Sequence, residues 1–166
     1  MKKIAILTAV VLASSAFAQQ VTEADFVGIY AGAQMGRNQS SETLVSGKNH
    51  HHASGYPGLL LGQTTVYNGM LVGLEGFVDL HKTAATQSDF GLGVKAGQVF
   101  GDVLVFARLA VVGAWPSYRP NVGVGAEYKL DKNFSLTGLL SRDSSTDDGI
   151  KRENKNFAVG VNYYFR

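Results

Sequence analysis

Four charged residues, Glu75, Lys95, Arg108 and Glu127, stand in stretches built mostly of apolar and glycine residues. Two carboxylates and two cations so placed can form buried ion pairs, and buried charge persists when it is paired and hydrogen-bonded. His50, His51 and His52 run consecutively beside Lys48 and Asn49. Histidines ligate metals, but adjacent loop residues rarely converge on one ion, and Glu42 is the only acid nearby. The expectation is a solvated loop able to touch host or surface ligands. His81 follows Asp79, with Ser88, Ser117 and Ser144 as serines able to approach it across a rim. A nucleophilic relay needs these groups in hydrogen-bond contact and an oxyanion site. Nothing in the residue pattern supplies either, so a polar rim is expected and no catalytic residue. Asp143, Asp147 and Asp148 carry oxygen ligands suited to a weakly held divalent cation, against the simpler expectation of a charged, solvated loop. Gly91-x-Gly93 and Gly123-x-Gly125 lie inside strand patterns rather than before helices, so they are not phosphate loops. No metal or cofactor site is expected.

Composition narrows the setting. Twenty glycines in 166 residues is well above the usual share of roughly 7%. The chain is 45% hydrophobic and has no cysteine, which excludes disorder, a disulfide framework, a thiol nucleophile and thiolate zinc sites. Residues 1–18 have the three parts of a secretory signal: Lys2 and Lys3, an apolar run, and small residues at Ala16 and Ala18. Cleavage between Ala18 and Gln19 is expected, leaving 19–166 as one domain. Without Lys2 and Lys3, 13 basic and 13 acidic residues balance, so there is no basic field for nucleic acid.

The mature chain reads as strands. The longest apolar run, 103–115, is too short for a membrane helix and contains Arg108. Period-two alternation instead recurs over 25–37, 58–67, 70–81, 89–99, 103–112, 121–130, 134–141 (the weakest) and 156–166. Eight strands follow, each near the roughly 9 to 11 residues that a tilted strand needs to cross a bilayer. Asn68-Gly69, Gly101-Asp102 and Asp131-Lys132-Asn133 are tight turns, while 38–56, 82–88, 113–120 and 142–155 read as longer loops. Pro57, Pro116 and Pro120 are then in loops or at strand starts, where no ladder donor is lost. Short turns on one side and longer loops on the other form the outer-membrane barrel pattern.

One face of every strand is apolar, for example Ile29, Ala31, Ala33 and Met35, or Phe90, Leu92, Val94 and Ala96. These sets contain no charge. The opposite faces are rich in glycine with few charges, which suits a crowded small-barrel lumen. Aromatics cluster near strand ends: Tyr67, Tyr128, Phe134, Tyr163 and Phe165 by the tight turns, Phe90, Trp115, Tyr118 and Phe157 by the loops. The Gly101-Asp102 turn pairs Phe100 with Val103, and so sets Lys95 directly opposite Arg108. Like charges that close need countercharges, and Glu75 and Glu127 flank them on the neighbouring strands. An ionic cluster near mid-lumen is expected. Its simplest role is to fill and neutralise a narrow interior. The alternative is a gate whose pairs exchange partners.

The opening Gly28-x-Tyr30-x-Gly32, Gly73-Leu74-Glu75-Gly76, the segment Gly123-Val124-Gly125-Ala126-Glu127-Tyr128 and the ending Val159-Gly160-Val161-Asn162-Tyr163-Tyr164-Phe165 resemble the small eight-stranded outer-membrane barrels, the OmpA-like transmembrane domain and its opacity-protein relatives. The resemblance spans the whole mature length. It implies an all-β, eight-stranded antiparallel up-and-down transmembrane barrel in the cell outer membrane, with both termini in the periplasm and a similar interior salt-bridge cluster. Val161, Tyr163 and Phe165 would form the C-terminal signal read by the barrel-assembly machinery, although Arg166 follows where the family usually ends on the aromatic. The implied partners are outer-membrane lipids and lipopolysaccharide, with a monomeric state and no peptidoglycan-binding domain after strand eight. The implied role is structural or surface-interacting (adhesion, envelope integrity), with a narrow pore as the alternative. Lipid-modifying barrels use serine and histidine, on the late strands in the deacylases; here the last histidine is His81, so an enzyme is not expected.

Overall fold

The computed structural model describes residues 22–43, 49–81, 88–114, 117–147 and 150–166. A short 3-10 turn at Glu23–Phe26 leads into eight strands: β1 Gly28–Thr43, β2 Asn49–Tyr67, β3 Met70–Asp79, β4 Asp89–Phe100, β5 Val103–Ala114, β6 Ser117–Lys129, β7 Phe134–Asp147 and β8 Ile150–Phe165. Each strand pairs antiparallel with the next, and β8 pairs with β1 to close the barrel. Closure leaves no open sheet edge along the paired wall.

The tight turns have local causes. Asn68 and Gly69 both take positive φ, 51° and 76°, which a two-residue I′ hairpin requires, and Tyr67 duly pairs with Met70. At the β6–β7 turn, the Asp131 carboxylate accepts from the backbone N–H groups of Asn133 and Phe134, each at 2.7 Å.

Alternation sorts the side chains as the pattern requires. Ile29, Met35, Leu59, Leu61, Leu74, Leu92, Leu109, Val124, Leu140 and Val161 are exposed on the outer wall, while Tyr30, Leu60, Phe77, Leu104, Phe106 and Tyr164 are buried inside. Four buried rings each face a glycine across the ladder: Tyr30 opposite Gly62, Tyr56 opposite Gly36, Phe77 opposite Gly91 and Phe106 opposite Gly125. A Cβ at any of these glycines would run into the facing ring. The abundance of lumen glycine is therefore a steric requirement of fitting aromatic rings into a narrow barrel.

Several boundaries differ from the sequence expectation. Residues 23–26 form the 3-10 turn rather than the start of β1, because the Asp25 carboxylate accepts from the Thr22 backbone N–H at 2.8 Å and turns the chain inward. Most of the segments expected as the loops 38–56 and 142–155 is strand: the β1–β2 ladder runs to Thr43↔Asn49, the β7–β8 ladder to Asp147↔Ile150, and β1–β8 to Thr43↔Lys151. These extensions are largely polar on both faces and so carry no alternation; backbone pairing, with cross-strand links such as Arg152–Glu42 at 3.1 Å, keeps them extended. Together they form a four-stranded lip, β2-β1-β8-β7, projecting beyond the apolar wall. Pro57 and Pro120 lie within strands rather than in loops or at strand starts. Pro57 sits beyond the last β2–β3 pair, Gly58↔Asp79, and Pro120 beyond the last β6–β7 pair, Asn121↔Asp143. At such ladder ends a missing N–H costs little.

Candidate functional site: a filled lumen

Polar chemistry in the barrel is stacked in three tiers. The middle tier holds the four charges singled out above. Lys95 and Arg108 are direct cross-strand partners. Glu75 pairs in register with Gly93, one step toward the loop end, and Glu127 with Leu104, two steps toward the turn end. One carboxylate thus lies above the cation pair and one below it. Each cation reaches diagonally past its neighbour: Arg108 Nη1 is 2.9 Å from Glu75 Oε1, and Lys95 Nζ is 3.2 Å from Glu127 Oε2. Gly93, beside Glu75, puts no side chain in the way of Arg108.

Hydroxyls and aromatic rings supply further contacts, and Arg108 Nε is left without a hydrogen-bond partner among the described residues. Tyr30 donates to Glu75 Oε2 at 2.7 Å, while Tyr164 and Ser135 both donate to Glu127 Oε1 at 2.6 Å. The two tyrosine rings stack with centroids 5.1 Å apart. Lys95 Nζ lies 4.4 Å from the Tyr30 ring and 5.0 Å from the Phe106 ring, and the Arg108 guanidinium lies 4.2 Å over Phe77. All four charged residues are at most 6% exposed. In so dry an interior, removing one partner leaves an uncompensated charge.

The turn-end tier is a plug. Phe26 has no exposed surface and packs with Leu71, Leu104, Phe106 and Leu139. Its carbonyl accepts a hydrogen bond from Thr64 Oγ1. Lys129 Nζ sits 3.3 Å from the Tyr164 ring centroid and 5.2 Å from that of Phe26. Asp25, on the same turn, meets Arg166 at 3.0 Å and joins the two ends of the described chain. Burial alone would raise the Asp25 pKa, but its hydrogen bonds from Thr22 and Arg166 outweigh that and hold it below the usual value.

The loop-end tier was not recognised as a cluster from sequence. Arg119 bridges Asp89 at 2.7 Å and Asp143 at 2.9 Å, with Asn121 and Asn154 also donating to Asp143. Gln34 donates to Asp79 at 2.7 Å. Asp143 therefore belongs to the lumen, buried under Arg119, and not to a solvated last loop; Asp147 ends β7, and Asp148 lies outside the described residues. Between the upper and middle tiers there remains a recess of about 20 Å³, room for about one water. Asp89 opens a segment read as strand, where its parity with Gly91 and Lys95 points it inward; parity could have placed Arg119 and Asp143 inward too, had their segments been read as strand.

His81 lies just past β3 with its ring tilted against Tyr56, centroids 4.5 Å apart. Desolvation lowers its pKa below the ordinary imidazole value. Ser144 is exposed on the outside of β7 and does not approach it. His50, His51 and His52 are exposed on β2 of the lip, not in a loop, because the β1–β2 ladder continues through them. His51 Nδ1 is 2.9 Å from Ser41 Oγ, a contact that only the lip register reveals. Glu153 pairs in register with Ser41 on its other side, so serine stands between acid and histidine, whereas a relay needs histidine in the middle. Among the described residues no cluster of histidine, aspartate and glutamate is arranged to hold a metal. Ala18 and Gln19 lie outside the described residues. Val161, Tyr163 and Phe165 all face outward on β8, with Tyr163 edge-on to Phe134 and to Phe165, each at 5.1 Å between centroids.

A closed eight-stranded up-and-down barrel with an apolar exterior and a polar, filled lumen is the architecture of the small outer-membrane barrels. Among solved structures, the chain is similar to Neisserial surface protein A, with 16% identity, 83% of this chain and 97% of that chain covered, and a TM-score of 0.56. It also matches the outer membrane protein OprG from Pseudomonas aeruginosa (11% identity, 84% and 97% covered, TM-score 0.47). A third match is Ail, the attachment invasion locus protein of Yersinia pestis (14% identity, 82% and 100% covered, TM-score 0.44). At 16% identity, what the chain shares with Neisserial surface protein A is the fold. No protein-family model and no curated protein sequence matches the chain.

Proposed function

We propose that this chain is an outer-membrane barrel whose role is structural or surface-interacting, exercised by the lip and loops at its loop end. The outer wall supports the membrane setting. Large apolar side chains such as Met35, Leu61, Leu92 and Val124 are 59–72% exposed there, far more contiguous apolar surface than a water-soluble monomer presents. Rings at both margins, Tyr67 and Phe165 at the turn end, Phe90 and Tyr118 at the loop end, sit where interfacial girdles belong.

The observation that carries the role is the filled lumen. Three tiers of side chains occupy it, and the described recess admits about one water. What the molecule offers to its surroundings is then the outside of the barrel and the projecting lip. Migration of unheated and boiled samples from outer-membrane fractions is the test. A heat-shifted band in the membrane fraction is expected. An unshifted band in the soluble fraction would overturn the reading and make the apolar wall a surface covered in some other way.

A further inference from the structure

The charges described in the lumen do not balance. Five carboxylates, Glu75, Asp79, Asp89, Glu127 and Asp143, face four cations, Lys95, Arg108, Arg119 and Lys129. Arg108 is held by Glu75 and Lys95 by Glu127, while Arg119 is shared between Asp89 and Asp143. Lys129 stands at the far, turn end over the Tyr164 ring. Asp79 is left over. Its one side-chain hydrogen bond among the described residues comes from Gln34, at 2.7 Å, and its direct partner on β4 is another carboxylate, Asp89. Like charges set opposite each other on a sheet repel, and a buried charge without a countercharge is costly.

Asp79 lines the recess of about 20 Å³ between the upper and middle tiers. Two more acceptors on the same wall lack partners. Asn38 is 4% exposed, and among the described residues neither its Oδ1 nor His81 Nδ1 has a hydrogen-bond partner. His81 Nδ1 is an acceptor in the tautomer protonated at Nε2. Tyr56 brings its hydroxyl to the same space. A water fits there and would satisfy the acceptors, but it would leave the surplus charge. A divalent metal would overcompensate that charge and takes about six ligands or more. Asp89 and Asp143 are already engaged by Arg119, and no group of acids and histidines among the described residues suits such a metal. We propose that the recess binds one small monovalent cation, sodium or potassium, on the Asp79 carboxylate and the Asn38 amide oxygen, with Tyr56 and His81 closing the shell. The ion brings the lumen to neutrality and ties β1 to β3 beneath the rim.

The test is urea unfolding of the refolded full chain in uncharged detergent micelles, at mildly alkaline pH where carboxylates are ionised. Sodium or potassium chloride is compared with the chloride of N-methylglucamine, a cation too large for the recess. Equal ionic strength keeps screening the same. The midpoint should rise with either small cation and then saturate. The unfolding constant should fall about tenfold once the cation stands roughly ten times above half-saturation. Asp79→Asn should abolish the difference between salts without lowering the midpoint in N-methylglucamine, because it removes the surplus charge and keeps an oxygen for Gln34. A merely structural Asp79 would lose stability in every salt. Asn38→Ala should keep the dependence but shift half-saturation to higher salt. Asp102→Asn, exposed at the opposite, turn end, should behave as the wild type. Equal midpoints in all the salts, a rise that never saturates, a dependence that survives in Asp79→Asn, or an unmoved half-saturation in Asn38→Ala would each overturn the inference. A heat-shifted band for each variant shows that the barrel is folded. Its absence in the wild type would count against the membrane reading instead, so the two failures are distinguishable.

Discussion

At the scale of single residues, the lumen charges behave as one network rather than four groups. Glu127 accepts from Lys95, Tyr164 and Ser135, so neutralising it strands a buried ammonium. Glu127→Gln should destabilise the barrel by about 3–5 kcal/mol, and adding Lys95→Met should restore most of that loss, because a buried pair removed whole costs far less than one half removed. Urea unfolding in vesicles, read by the heat-shifted band, measures both; equal losses in the single and double variants would show that the pair does not act as a unit. His81 makes a pH prediction. Its folded pKa is lowered by burial from the ordinary 6.5, so the unfolded chain binds the proton more readily. The stabilisation from a neutral His81 is present above about pH 6.5 and is lost as pH falls below it. His81→Phe should flatten that acid-side slope in the unfolding midpoint; an unchanged slope would place the proton uptake elsewhere.

At the scale of elements, the four ring-and-glycine pairs tie strand to strand. Gly62→Val should drive Tyr30 from its seat, together with its hydrogen bond to Glu75, and lower stability by about 1–3 kcal/mol. Gly76→Val, on the outer face of β3 where a Cβ meets nothing nearer than 3.9 Å, should leave the midpoint unchanged or raise it. Similar losses at both sites would mean that strand propensity, not the lumen fit, decides. These elements also show what the sequence could and could not convey. Where it was read, alternation put residues such as Ile29, Met35, Leu92 and Leu109 outward and Tyr30, Lys95 and Arg108 inward, as they stand, and the Asn68-Gly69 and Gly101-Asp102 turns set the Tyr67↔Met70 and Lys95↔Arg108 registers. Strand lengths were not legible, since the lip has polar side chains on both faces and thus no pattern to read. Nor were the ion-pair partners: the stagger between strands puts Glu127 level with Leu104 rather than Arg108. Local spacing contains no measure of that stagger.

At the scale of the whole molecule, three closures stand in series: the Phe26 plug, the ionic middle and the Arg119 bridge. Opening one leaves the other two. The wild-type barrel in a planar bilayer should show no resolved conductance steps, and Arg108→Ala should show none either. Stable steps in that variant would establish the exchange-gate reading, in which the middle tier alone controls passage.

The seam between β1 and β8 has a kinetic consequence. Its pairs, from Ile29↔Phe165 to Thr43↔Lys151, join the two ends of the strand sequence, and contacts that distant in sequence are slow to form. The Glu75–Arg108 and Lys95–Glu127 pairs lie within the consecutive strands β3 to β6 and do not require the seam. A four-stranded curl can thus satisfy its charges before the cylinder exists, which makes insertion of an unclosed sheet far less costly. The expectation is that β8 docks on β1 last, so substitutions at Tyr163 or Phe165 should lengthen the time to the heat-resistant form more than they lower its final stability.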